Sequence, residues 1–170
     1  AHGVGAIVDE VTRNGTDEDR ECLDYVLNQR AGSSARLFPN SAHPRDCDAG
    51  GLRADRKDAF GRGMVLSDFE ASGFARAAEL KTVHVLALRL YTMACYRSLN
   101  NPLRGFDADG RPRPLSAHQP HPLPVTVHLL TEAIKRLRAV EGDSPTASQH
   151  VTLWRGLHDA TISNEFMHEG

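Results

Sequence analysis

The 170 residues have almost no excess charge of either sign: 20 lysines and arginines stand against 22 aspartates and glutamates, a formal net charge of −2. That near balance removes any global electrostatic argument for nucleic acid or an anionic membrane surface as partner. Cysteine is scarce too. Cys22, Cys47 and Cys95 are odd in number, widely spaced and form no C-x-x-C pair. They therefore argue against a zinc site or a redox couple and fit a reducing compartment, an organelle included. Cys22 and Cys95 fall on apolar helical faces, whereas Cys47 stands in a polar loop as the exposed thiol. No apolar run approaches the roughly 20 residues a membrane-crossing helix needs, and the opening AHGVGAIV is too short for a signal-peptide core. Aromatic residues make up only 6%, with a single tryptophan, Trp154, and no internal repeat is visible.

What is there is the composition of a folded protein, 40% hydrophobic and 25% charged, at a length suited to one domain. The chain starts at Ala1 rather than Met and stops at Gly170 just after the onset of a helix near Ser163, so we expect processing or truncation at both ends. After Thr16-Asp17, Cys22, Tyr25, Val26 and Gln29 share one face, which predicts an amphipathic helix closed by Gly32. Residues 33 to 63 are rich in Gly, Ser, Pro, Asp and Arg and read as a long irregular loop. Ser67 and Glu70 form an S-x-x-E capping pattern ahead of a helix through Phe69, Phe74, Ala78 and Leu80, weakened at Gly73 and broken near Lys81-Thr82.

Residues 83 to 99 are apolar almost all round, with Arg89 and Arg97 as the main polar markers, the pattern of a central core helix that Pro102 terminates. The stretch from Gly105 is crowded by Pro112, Pro114, Pro120 and Pro122 and carries a turn at Asp107-Ala108-Asp109-Gly110; Pro124 then suits a helix first turn. Val127, Leu130, Ala133, Ile134 and Leu137 predict an apolar stripe, with His128, Glu132, Lys135, Arg136 and Arg138 facing water and Glu132 spaced to pair Arg136. Gln149 to Leu157, where Val151 and Leu153 alternate with Thr152 and Trp154, is the one clear strand. A lone strand needs partners for its backbone, so the missing strands are expected outside this stretch or on a partner protein.

Three blocks follow in order: ALRLYTMACYRSLNNPLR at 87–104, PVTVHLLTEAIKRLRAV at 124–140 and VTLWRGL at 151–157. Ala87, Tyr91, Thr92, Tyr96 and Asn100 fit a pattern A-L-x-x-Y-T-x-x-x-Y-x-x-x-N. Leu130, Thr131, Ala133, Ile134, Leu137 and Arg138 fit L-T-x-A-I-x-x-L-R, and Trp154, Arg155 and Gly156 fit V-Y-R-G with Trp in place of Tyr. Together the blocks resemble the mono-ADP-ribosyltransferases of the R-S-E, arginine-specific type, over residues 64 to 170. The resemblance implies a mainly α region, the helical N-terminal half of an α+β fold, with residues 1–63 as an N-terminal helix plus irregular loop and 64–170 ending after the first core strand. It implies that Arg155 forks onto the diphosphate oxygens of NAD, a geometry Lys could not copy, while Gly156 lets the backbone approach the cofactor. The family's Ser-Thr-Ser and E-x-E motifs do not occur here, so no catalytic residue is assigned and the stretch alone is expected to be inactive.

Read without those blocks, Arg155 is a strand-end arginine pairing a carboxylate such as Asp159. His118 and His121 form an H-x-x-H pair and His43 stands near Asp46 and Cys47, but both groups sit in loops without a second ligand pair, so no metal is expected. His84 and His128 read as helix-surface or boundary residues. Arg53, Arg56, Lys57 and Arg62 make a basic loop that Asp55 and Asp58 nearly cancel; Arg111-Pro112-Arg113-Pro114 is a polyproline II docking segment or a solvated linker. A second reading, from a different class, is a non-catalytic structural or binding subunit of a larger assembly, an organellar or photosynthetic complex being one such home, whose long irregular segments wrap a protein partner. Neither reading calls for nucleic acid or a transmembrane segment.

Overall fold

The computed structural model describes residues 3–28, 46–48, 51–61, 63–107, 110–112 and 120–142, and they form a mainly helical unit. At its centre lies α5 (Thr82–Tyr91), the helix whose sequence is apolar on nearly every side; Val83, Val85, Leu86, Ala87 and Leu90 are all buried. Three longer helices close around it: α1 (Val4–Asn14), α2 (Asp17–Asn28) and α7 (Pro124–Gly142). Their inward faces meet in one cluster that takes Ile7 and Val11 from α1, Cys22 and Val26 from α2, Leu86 and Leu90 from α5, and Leu129 and Leu130 from α7. Each such side chain, fully removed from water, stabilises the fold by about 1.5–3 kcal/mol. This cluster draws on both sides of Gly63.

Helix α1 is not among the elements the sequence reading anticipated. Val4, Ile7, Val8 and Val11 recur at helical spacing, and Ile7 and Val11 are wholly buried, but Gly3 and Gly5 obscure the pattern. The corner between α1 and α2 depends on Gly15. A Cβ there would lie 2.5 Å from the Val11 carbonyl oxygen and 3.1 Å from the Asp19 Cβ, so any side chain forces the two helices apart. Beyond the corner α2 begins as expected at Thr16-Asp17: the Thr16 amide donates to Asp19 Oδ2 (2.8 Å) and the Asp19 amide to Thr16 Oγ1 (3.2 Å).

The tract from 83 to 99 is two helices rather than one. Thr92 Oγ1 donates to the Arg89 carbonyl (2.9 Å), diverting it from the helical ladder, and the chain turns through 92–95 before α6 (Tyr96–Asn100). A 3-10 turn, Pro102–Arg104, follows and closes on Gly105 at φ +79°. The region 64–80 is likewise two short helices, α3 (Leu66–Glu70) and α4 (Gly73–Ala77), divided where Gly73 weakens the pattern. The Ser67–Glu70 box does not form. Asp68 caps α3 by accepting the Val65 amide (2.8 Å), Ser72 Oγ caps α4 by accepting from Ala75 (3.2 Å), and Glu70 is drawn away to accept from Thr82 Oγ1 (2.8 Å).

Within the region expected to be irregular, Cys47–Asp48 (β1) and Gly51–Leu52 (β2) pair antiparallel, Cys47 opposite Leu52, and a 3-10 turn follows at Ala54–Arg56. The expected turn after Phe106 is present, with Asp107 accepting from the Gly110 and Arg111 amides (3.0 and 2.8 Å). Pro124 opens α7 as expected, but the cap of that helix comes from far away in sequence. Glu10, buried on α1, accepts the Val125 amide (2.7 Å), the Thr126 amide (2.8 Å) and the Thr126 hydroxyl (2.7 Å). A carboxylate at that end also complements the helix dipole. The buried face of α7 runs through Thr126, Leu129, Leu130 and Ala133; Ile134, placed in the stripe by its spacing, is 40% exposed. The strand expected at 149–157, the helix near Ser163, and Gln29 and Gly32 of the expected first helix lie outside the described residues. No helix among the described residues is long and apolar enough to cross a membrane.

Candidate functional site

Arg89 is the one charged residue on the buried face of α5, and a guanidinium cannot shed its charge, so it must find a carboxylate. Asp46, just before β1, supplies it: Nη1 and Nη2 of Arg89 donate to Oδ1 and Oδ2 at 3.3 and 3.0 Å, a two-pronged pair with side chains only 6% and 2% exposed. Arg56, from the 3-10 turn after β2, brings a second guanidinium to within 3.1 Å of Asp46 Oδ1. Phe69 of α3 lies under both cations, its ring centre 4.5 Å from the Arg89 guanidinium carbon and 5.5 Å from that of Arg56. The Asp46 carbonyl accepts the Arg53 amide (2.8 Å), so the same residue that neutralises α5 also pins the hairpin to the helical core.

Burial by itself would raise the Asp46 pKa, but the hydrogen bonds and charge of Arg89, helped by Tyr25 and Arg56, outweigh it and hold the group below its ordinary value of 3.8. Asp46 therefore stays a carboxylate at neutral pH and does not serve as a general acid or base there. Arg56 also lies 4.0 Å from Asp55 Oδ2, so a second carboxylate shares in its neutralisation. Beside the two guanidiniums opens an apolar groove of about 190 Å3, walled by Phe69, Phe74, Leu80, Val85, Leu88 and Leu137 from α3, α4, α5 and α7. Phe74 at its rim is 80% exposed.

A second polar array lies on the other side of α5. His84, expected at a helix surface or boundary, is buried; its Nδ1 accepts the Lys81 amide (3.1 Å), and its Nε2 lies 3.4 Å from Glu132 Oε2. Glu132 in turn takes the anticipated contact from Arg136 (2.9 Å), whose hydrogen bond, with His84 as a weaker contributor, lowers the Glu132 pKa. Arg136 also donates to the carbonyl of Glu79, which is held at φ +50°. These contacts lock α7 against α5. His121 is similarly satisfied, between the Leu99 carbonyl (3.0 Å) and the Leu123 amide (2.9 Å), and His43 and His118 lie outside the described residues.

Nucleophilic chemistry is not prepared by the two described thiols. Burial pushes both Cys22 and Cys95 upward, with the Asp19 charge adding to it at Cys95. Asp19 itself is buried and accepts from Ser98 Oγ (2.7 Å), tying the start of α2 to α6. The wide depression beside it, about 490 Å3, is lined by Asp17 and Glu18 as well as Arg97, which pairs Glu18 at 3.5 Å. Those acids already complement the helix N-terminus, so the depression does not favour an anion. Among the described residues no group of three His, Cys, Asp or Glu could hold a metal ion. Within the basic loop Arg53 makes a 3.0 Å contact to Asp55, and Arg62 lies outside the described residues. Arg155 and Gly156 lie outside the described residues, as does the side chain of Cys47.

The pairing of Arg89 with Asp46 was not legible in the sequence. The lone arginine in LALRLY signalled that a buried partner had to exist, but nothing local pointed 43 residues back to Asp46. Comparison of the chain with protein-family models, with curated proteins and with solved structures gave no match.

Proposed function

We infer that this chain is the helical half of an arginine-specific mono-ADP-ribosyltransferase-like domain, a scaffold that presents Arg155 to the diphosphate of NAD and relies on residues beyond these 170 for catalysis. The observation that supports this reading is the placement of its motif residues. The first two blocks fall on α5, α6 and the turn between them and on α7, and α5 packs against α7. Ala87 is buried where α5 meets its neighbours, Thr92 ends α5, and Asn100 Nδ2 donates to the Tyr91 hydroxyl at 3.4 Å. The described residues contain no cradle for a dinucleotide, and the acids of the α2 depression disfavour a diphosphate. The cofactor contact therefore belongs to Arg155 and Gly156 by resemblance alone, and no chemical step is assigned to the helices.

The test is transfer of labelled ADP-ribose from NAD to an arginine acceptor, run with the 170-residue chain and with the natural polypeptide extended past Gly170. The chain alone should be silent and the extended protein active; an extended protein with no Ser-Thr-Ser and no E-x-E motif, and no transfer, would sink the transferase reading. The exposure of Phe60 (81%) and Phe74 (80%) favours a second reading, a non-catalytic binding subunit. Migration of the native protein in a stable complex without NAD-dependent labelling would support that alternative.

A further inference from the structure

We propose that Asn14–Gly15, at the corner between α1 and α2, is a fold-gated deamidation site whose conversion releases α1 from the start of α7. Asn14 is the only asparagine of the 170 residues that a glycine follows. In such a pair no side chain shields the next amide nitrogen from the asparagine carbonyl carbon, so the pair is labile wherever the chain is open. The glycine cannot be traded away, because a Cβ at Gly15 would lie 2.5 Å from the Val11 carbonyl oxygen. Asn14 in turn has a structural task. It stands one helical turn after Glu10 on α1, and both side chains act on the same end of α7. Glu10 accepts the Val125 and Thr126 amides, and Asn14 Nδ2 donates to the Pro122 carbonyl at 3.1 Å. The proposal stands on these contacts and does not depend on NAD.

In the folded chain the backbone and two hydrogen bonds keep the reacting atoms apart. Asn14 is the last residue of α1, and helical side chains lean back toward the N-terminus, away from the Gly15 nitrogen. The Gly15 amide donates to the Val11 carbonyl at 2.9 Å, while Asn14 Nδ2 is held on Pro122. When the corner opens, the Gly15 nitrogen gives up its proton to solvent and attacks Asn14 Cγ. The N–Cγ bond forms, the Cγ–Nδ2 bond breaks, and the leaving nitrogen takes up a proton as ammonia. Water then opens the cyclic imide at either carbonyl to give aspartate or isoaspartate, with no change of oxidation state. Neither product restores the seam. The new carboxylate has no donor for the Pro122 carbonyl, repels Glu10 one turn away and sits at the negative end of α1. Isoaspartate also lengthens the backbone at a corner that has no room for a single added carbon.

The 170-residue chain is incubated in mildly alkaline buffer, folded and in guanidinium chloride, and peptide mapping reads Asn14 by the mass difference between NH2 and OH and by isoaspartate content. The unfolded chain should convert, and the folded chain at least about tenfold more slowly, because reaction then waits on local opening. Glu10→Gln, which loosens the start of α7, should speed the folded-state reaction more than Asp46→Asn, whose lesion lies at the hairpin. Asn14→Asp should melt at a lower temperature than the parent with its helix signal retained. Equal rates in the folded and unfolded chains, no conversion in guanidinium chloride, or equal acceleration by Glu10→Gln and Asp46→Asn would overturn the gate. An unchanged melting temperature of Asn14→Asp would overturn the release of α7.

Discussion

Replacing Asp46 by Asn keeps the shape of the side chain and removes its charge, leaving Arg89 buried without a counter-ion. Breaking a buried ion pair from one side costs about 3–5 kcal/mol, because the remaining charge stays desolvated. The Asn oxygen can still accept one bond, and Arg56, at 21% exposure, can turn toward water, which places the expected loss near ~3 kcal/mol. For a domain of this size that corresponds to a drop in Tm of about 6–12 °C. Urea unfolding followed by far-UV circular dichroism should show a lower midpoint with an unchanged slope. The double variant Asp46→Asn/Arg89→Met should recover much of the loss, since it removes both charges and keeps the apolar stem of residue 89. A loss below about 0.5 kcal/mol for Asp46→Asn, the scale of a surface substitution, would refute the claim that this pair anchors the hairpin to α5.

Three further outcomes follow from the same structure. Because the folded Asp46 pKa lies below its ordinary value, the stability it contributes is whole above pH 3.8 and is lost as pH falls through the lower folded value, so acid unfolding of Asp46→Asn should be less steep than that of the parent. Glu10→Gln should destabilise by about 1–3 kcal/mol in thermal melts, since one of three donors at the start of α7 then meets an amide NH2 group instead of an oxygen. Cys22 and Cys95 should resist a thiol reagent at pH 8 until the protein is unfolded, as peptide mass mapping of labelled sites would show; rapid native labelling of either would contradict their burial.

Periodic signals were read well and long-range polar partners were not. Helices α2, α5 and α7 and the breaks at Gly73 and Lys81 follow from apolar spacing and local capping, which are properties of neighbouring residues. Glu10 caps a helix 115 residues away and Asp46 answers Arg89 across 43, and spacing carries no trace of such pairs. The burial of His84 is likewise non-local, since Glu132 meets it from another helix. Ile134 has the spacing of the α7 stripe but lies at the edge of the face that α5 covers. The broken tract at 92–95 turned on the hydroxyl of Thr92, whose local bond to a carbonyl outweighs an otherwise continuous apolar pattern.

Arg155 is the residue on which the functional account rests, and the most direct measurement is NAD-dependent labelling of an arginine acceptor by the natural polypeptide compared with its Arg155→Lys variant. Lysine keeps the charge but would lose the two-pronged contact that the proposal gives Arg155, and one lost charge-assisted hydrogen bond of about 1.5–3 kcal/mol corresponds to a fall of roughly ten- to a hundredfold. The account predicts that loss with an unchanged helix signal. Equal labelling by both proteins, or none by the natural polypeptide, would contradict it.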